Sequence, residues 1–162
     1  MIDSPYVVAN QVLCCVRDGM LNANRPELQQ SYVAAGSIAW DNCCGMLVVA
    51  PERIYRSTTF FTEATDPEEC NAGFLVVELV VIVIRCVPTV DDRGRAPTAH
   101  ALNEAYRDLL EDAAVVWNSI LCCEYEDWER GAISQTFVGA EGGCIAVETR
   151  FPLGLEQHRW IR

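Results

Sequence analysis

Hydrophobic and polar positions along the chain follow two periods, one near 3.6 residues and one of 2, and these lay out helices and strands. From Pro5 to Leu21 the residues Val8, Val12, Cys15, Val16 and Met20 recur at helical spacing, which predicts a helix with one apolar stripe. Ser4 precedes it as N-cap, and Pro5 takes the first helical position, where a missing N–H costs nothing. A clearer helix is predicted from Thr98 to Leu121. Leu102, Tyr106, Leu109, Leu110, Ala113, Val116, Trp117 and Ile120 line one side, and Glu104, Arg107, Asp108 and Glu111 the other. Residues 22–36, with Asn22, Asn24, Pro26 and Gly36, read as a connection containing a short turn around Glu27–Tyr32.

The period of two marks the strands. Gly36–Asp41 and Met46–Tyr55 are predicted to be extended, with Asn42 and Gly45 as turn signals between them. Pro51 lacks an N–H, so the second of these strands is expected to lie at an edge there or to bulge. Gly73–Val87, GFLVVELVVIVIRCV, is a β-branched run that carries Glu78 and Arg85 and falls short of the ~20 apolar residues a membrane helix needs. It reads instead as a long strand buried on both faces. Pro88–Pro97 is turn-rich. Ala132–Gly139 and Cys144–Pro152 form a hairpin through Glu141, Gly142 and Gly143, with Ile133, Phe137, Ile145, Val147 and Phe151 facing inward. The expected fold class is α+β: a mainly antiparallel sheet with a long central strand and a C-terminal hairpin, packed by an N-terminal helix and a long second helix. Residues 1–162 form a single domain, with 1–3 and 154–162 as peripheral tails.

Composition narrows the function classes. The chain has 162 residues, 51% of them hydrophobic, and a net charge of −11 from 12 Arg and no Lys against 23 carboxylates. Its field repels phosphate backbones, which argues against sequence-specific nucleic-acid binding. Between residues 98 and 130 the carboxylates Glu104, Asp108, Glu111, Asp112, Glu124, Glu126, Asp127 and Glu129 face only Arg107 and Arg130. This is either a solvated helix face or a surface that repels DNA or meets a basic partner.

Nine cysteines, an odd count, include the adjacent pairs Cys14–Cys15, Cys43–Cys44 and Cys122–Cys123. With no secretory start, they read as small buried hydrophobes of a reduced, cytoplasmic protein. Adjacent cysteines lack the two- to four-residue spacing of zinc ligands. His100 and His158 belong to no recognised catalytic spacing, and Gly139–Gly143 is a hairpin rather than a phosphate loop. The expectation is a protein with no enzymatic activity, catalytic residue, cofactor or metal site. Residues 56–72 are too long for a tight turn, and they carry Phe60 and Phe61 beside Glu63, Asp66, Glu68 and Glu69. These six residues are the candidate interface with another subunit.

The block GSIAWDNCCGMLVVAPERIYRS, Gly36–Ser57, resembles the W-D-x-C-C-G-x-L-V-V segment of actinobacteriophage neck proteins. Together with the element order over residues 4–153, the chain resembles the tail terminator proteins of long-tailed (siphovirus-type) bacteriophages. The resemblance implies a structural virion protein at the head–tail junction, assembled in the bacterial cytoplasm. Its subunits would close into a heterologous ring, a hexamer in that family, that caps the tail tube, ends tail growth and joins the head connector. The implied partners are further copies of the chain, the tail tube protein and the head-closure protein. DNA would pass through the lumen without specific binding, and no membrane is involved. The vicinal cysteines and the long strand depart from the family pattern. They leave open a head-closure, stopper, other connector or minor tail role and, more remotely, a small thiol enzyme or a ligand-binding domain.

Overall fold

The computed structural model describes residues 4–36, 38–40, 44–59, 61–64 and 73–156, and the findings below concern these. Helix α1 spans Pro5–Asn22, and Ser4 caps it by accepting the Val7 N–H through its hydroxyl at 3.3 Å. Its stripe of Val8, Ala9, Val12, Leu13, Val16 and Met20 is buried. The strands are β1 (Gln30–Val33), β2 (Met46–Thr59), β3 (Thr62–Glu63), β4 (Phe74–Cys86), β5 (Trp128–Arg130), β6 (Ser134–Glu141) and β7 (Cys144–Glu156). Helix α2, Ala99–Cys122, follows β4 and is capped by the Thr98 hydroxyl, which accepts the Ala101 N–H.

The strands form one sheet in the order β1-β2-β4-β7-β5, with β3 on β2 and β6 on β7. Only β1 and β2 run parallel, so the fold is α+β with a mostly antiparallel sheet. Both helices pack on one face. There Val77, Leu79, Val81 and Val83 of β4 join Leu47, Val49, Ile145, Val147, Phe151 and Leu153 under the stripes of α1 and α2. The alternate residues Met46, Val48, Val80, Ile82, Ile84 and Ala146 form a smaller cluster on the other face, covered by Tyr32, Ala34, Ile38 and Trp40. This double burial is why β4 reads as an unbroken Val/Ile run.

Several expectations change. The stretch read as a connection holds β1, whose four residues are too few to show a period. Residues 38–40 form no strand; Ile38 and Trp40 instead lie over the second cluster. The strand predicted to end at Pro152 continues to Glu156 and pairs with β5, burying Leu155, so residues 154–156 belong to the sheet. Phe137, expected to face inward, is 49% exposed, because β6 is an edge strand beyond the cover of the core. Pro51 sits where the β2–β4 register shifts, between Pro51 and Arg53, so the strand bulges where its sequence predicted.

Candidate functional site

Of the six residues named as an interface, Phe60, Asp66, Glu68 and Glu69 lie outside the described residues. The structure turns the other two back onto their own chain. Phe61 has φ of 60° and accepts the Tyr55 hydroxyl through its carbonyl at 3.2 Å. Its ring closes on Gly131, where an added Cβ would stand 3.0 Å from the Phe61 ring and 2.5 Å from Pro152. Glu63 accepts from Arg53 at 2.9 Å, and the same guanidinium holds both carboxylate oxygens of Glu78 at 3.1 and 3.2 Å. That guanidinium also lies 4.5 Å over the Tyr55 ring. Burial, with the neighbouring Glu78 carboxylate, pushes the Tyr55 phenol above its ordinary range. The Arg53 cluster is solvent-exposed, so it contributes registration of β2 and β3 more than stability.

A second constellation is buried and was not anticipated. Asp112, fully buried on α2, accepts from Arg85 Nε at 2.6 Å and from Arg25 Nε at 2.7 Å. Arg85 spends its other nitrogens on the carbonyls of Glu27 and Pro26, at 3.2 and 3.0 Å. Arg25 also reaches the Asp108 carbonyl at 2.9 Å and the Glu111 carboxylate. Burial works against the Arg25 charge, but Asp112 and Glu111 outweigh it and raise its pKa further. The result is an Arg–Asp–Arg bridge that locks the connection after α1 to β4 and α2. Because both arginines are engaged by protein oxygens, the arrangement serves architecture rather than proton transfer. An arginine inside an apolar strand run was the signal in the sequence; the partner on another element was not.

The cysteines depart from the reduced-thiol expectation. Cys15 of α1 is bonded to Cys123 at the end of α2, with Cα atoms 5.8 Å apart, and Cys44 is bonded to Cys86 with Cα atoms 4.7 Å apart. Cys144 is disulfide-bonded as well. Cys44 and Cys86 face each other because the β2–β4 ladder, which pairs Met46 with Ile84, extends one step further through the Gly45 N–H to the Ile84 carbonyl. The two doublets that lie wholly within the described residues each divide their labour. Cys15 and Cys123 bond, while Cys14 and Cys122 remain thiols, since neighbours on a helix diverge by about 100°. Cys122 lines a shallow cleft of about 490 Å³ between the two helices, with Gly19, Asn22, Val115 and Ser119.

Compared with known proteins, the sequence matches no family model and no curated protein. Among the described residues no group of three or more His, Cys, Asp or Glu side chains stands close enough to hold a metal ion. No helix among them is long and apolar enough to cross a membrane. His100 lies exposed in the first turn of α2, 3.6 Å from Glu104, and the predicted His158 lies outside the described residues.

Proposed function

We infer that the chain is a structural subunit of a bacteriophage neck, a tail terminator. Copies close into a ring of six that caps the tail tube, stops its growth and presents the opposite face to the head-closure protein. The observation that carries this reading is the segment Gly36–Ser57, which resembles the W-D-x-C-C-G-x-L-V-V block of neck proteins. In the fold, this segment supplies Ile38 and Trp40 to the cover of the second sheet face and most of the strand β2. The net charge of −11 supports a lumen through which DNA slides without adhering. The disulfides fit a particle built in a reducing cytoplasm and then released, because virion surfaces are oxidising.

The test is polymerisation of the purified tail tube protein with increasing amounts of this chain. A terminator shortens the tubes and fixes their length distribution in proportion to the chain added. Tubes that elongate unchanged, with the chain found only on DNA-filled heads, move the role to head closure. Tubes and heads that both ignore it end the neck reading.

A further inference from the structure

Helix α2 carries a second apolar stripe beside the one it buries. At about 100° per residue, Tyr106, Leu110, Ala114, Trp117 and Leu121 fall within roughly 80° of one another. Leu110 is 57% exposed, Leu121 46% and Tyr106 40%. Ser119, on the opposite flank, crowds Gly19 of α1, so the stripe looks away from α1. The Gln135 amide donates to the Ala113 carbonyl at 2.8 Å, which sets the stripe above β6, where Phe137 is also half-exposed. A continuous apolar strip of this kind is a docking surface rather than a scatter of single exposed residues.

The stripe ends in an acidic corner. Past Leu121, the connection from α2 to β5 carries Glu124 and Glu126, and β5 carries Glu129. All three are exposed, and none of their carboxylates has an ion pair among the described residues. Strand β7 arrives at the same corner: Trp128 pairs with Leu155, and β7 ends one residue later at Glu156. The chain therefore leaves β7 where the connection from α2 enters β5. From Trp128 back to Leu121 is seven residues, tightened by a turn in which the Trp128 N–H donates to the Tyr125 carbonyl at 2.8 Å. The segment that follows β7, residues 157–162, lies outside the described residues and has the sequence QHRWIR. Its six residues reach about 20 Å when extended, enough to return to Leu121 and Trp117.

We propose that residues 158–162 strap the C-terminal half of this flank in their own chain, with Trp160 and Ile161 against Leu121 and Trp117, and Arg159 and Arg162 against Glu124 and Glu126. Charge and reach select this occupant. In a chain of net charge −11, the segment holds two of the 12 arginines and no carboxylate, the reverse of the corner it leaves from. It also brings two large apolar side chains to a stripe that is open among the described residues. The short tether favours the segment's own flank over that of a neighbouring copy, because the effective concentration across such a link is about millimolar. The strap keeps Leu121 and Trp117 from non-specific contacts in the free chain, and a partner that takes the flank must displace it. It operates whether or not the chain belongs to a phage neck.

Trypsin reads the strap directly, because the chain has no Lys and Arg159–Trp160 is a cleavable bond inside it. Cleavage after Arg159, followed by mass spectrometry, is expected to be at least tenfold slower in the intact chain than in the free peptide 154–162. Leu121→Glu, at a half-exposed position and checked for unchanged circular dichroism, is expected to restore the peptide's rate. Glu124→Gln with Glu126→Gln, both exposed, is expected to remove about threefold of the protection, and decides in the same way should Leu121→Glu fail to fold. Cleavage at the peptide's rate in the intact chain overturns the strap. Protection untouched by these variants places the segment elsewhere and overturns the assignment to α2. Protection that fades on dilution assigns the flank to a neighbouring copy's segment and overturns the contact within one chain.

Discussion

Asp112 is the residue on which the interior is most exposed to a single change. Its carboxylate compensates two guanidinium groups; Asp112→Asn leaves the buried Arg85 with no carboxylate partner, while Arg25 keeps Glu111 and Asp108. Breaking a buried pair in this way costs about 3–5 kcal/mol. Urea unfolding of Asp112→Asn is therefore expected to show a loss of that size, and a loss below ~1 kcal/mol would mean that the bridge is solvated. Tyr125 makes a pH prediction. Its hydroxyl donates to the Ile120 carbonyl at 2.8 Å, and burial, slightly offset by Arg130, pushes its pKa well above the ordinary phenol range. The stability held by the neutral phenol is complete below the unfolded-state pKa of about 10 and is lost as pH rises beyond it. Alkaline unfolding should therefore begin near that pH, with Tyr125 ionising only as the chain opens, as followed by phenolate absorbance; early ionisation in the folded state would contradict this. At this scale the sequence was legible where the cause is local. Ser4, Pro5 and Pro51 act through their own backbone, and each does what its chemistry requires. Arg85 and Asp112 were both visible as charges, but their meeting depends on α2 crossing β4, which no local pattern encodes.

Elements with a full period were readable and short ones were not. Helices α1 and α2 and the strand β4 each bury a stripe or run long enough to declare itself, and their bounds agree with the pattern to within a residue or two. The strands β1, β3 and β5 have two to four residues each and owe their conformation to the neighbour they pair with. The same reasoning explains the cysteines: which of Cys14 and Cys15, and which of Cys122 and Cys123, bonds is set by how the two helices pack, and Cys44 meets Cys86 through strand register, not through spacing in the chain. The Cys15–Cys123 bond closes a separation of 108 residues and staples α1 to the end of α2. Replacing both with Ser is expected to cost about 4–5 kcal/mol on the chain-entropy account, read as a lower urea midpoint at nearly unchanged compactness. A midpoint indifferent to the pair would show that the helices are held by packing alone. Gly131 tests the fold-back of residues 61–64. Gly131→Ala drives a methyl into Pro152 and the Phe61 ring, with an expected cost of about 1–3 kcal/mol, and Phe61→Ala in the same chain should relieve part of it. Additive losses would mean that the two do not meet.

For the whole molecule, the architecture brings two helices to one face of a curled sheet and leaves that sheet with unlike ends. The candidate site predicted for residues 56–72 was legible only as a place where aromatic and acidic residues collect. Within the described part, Phe61 and Glu63 are spent on intramolecular contacts with Gly131 and Arg53. The exposed apolar groups at Phe137 and Leu110 were hidden in the sequence because each belongs to a periodic stripe that mostly faces the core. Only the finished topology shows which members of a stripe run past the edge. The central claim is a ring that ends a tail. Its most direct test is electron microscopy of tail tubes assembled with the purified chain, with copies counted at the tube ends. The account predicts six copies in a closed ring at one end of each tube, and tubes of uniform length. Bare ends on tubes of unrestricted length, with the chain left free in solution, would contradict it.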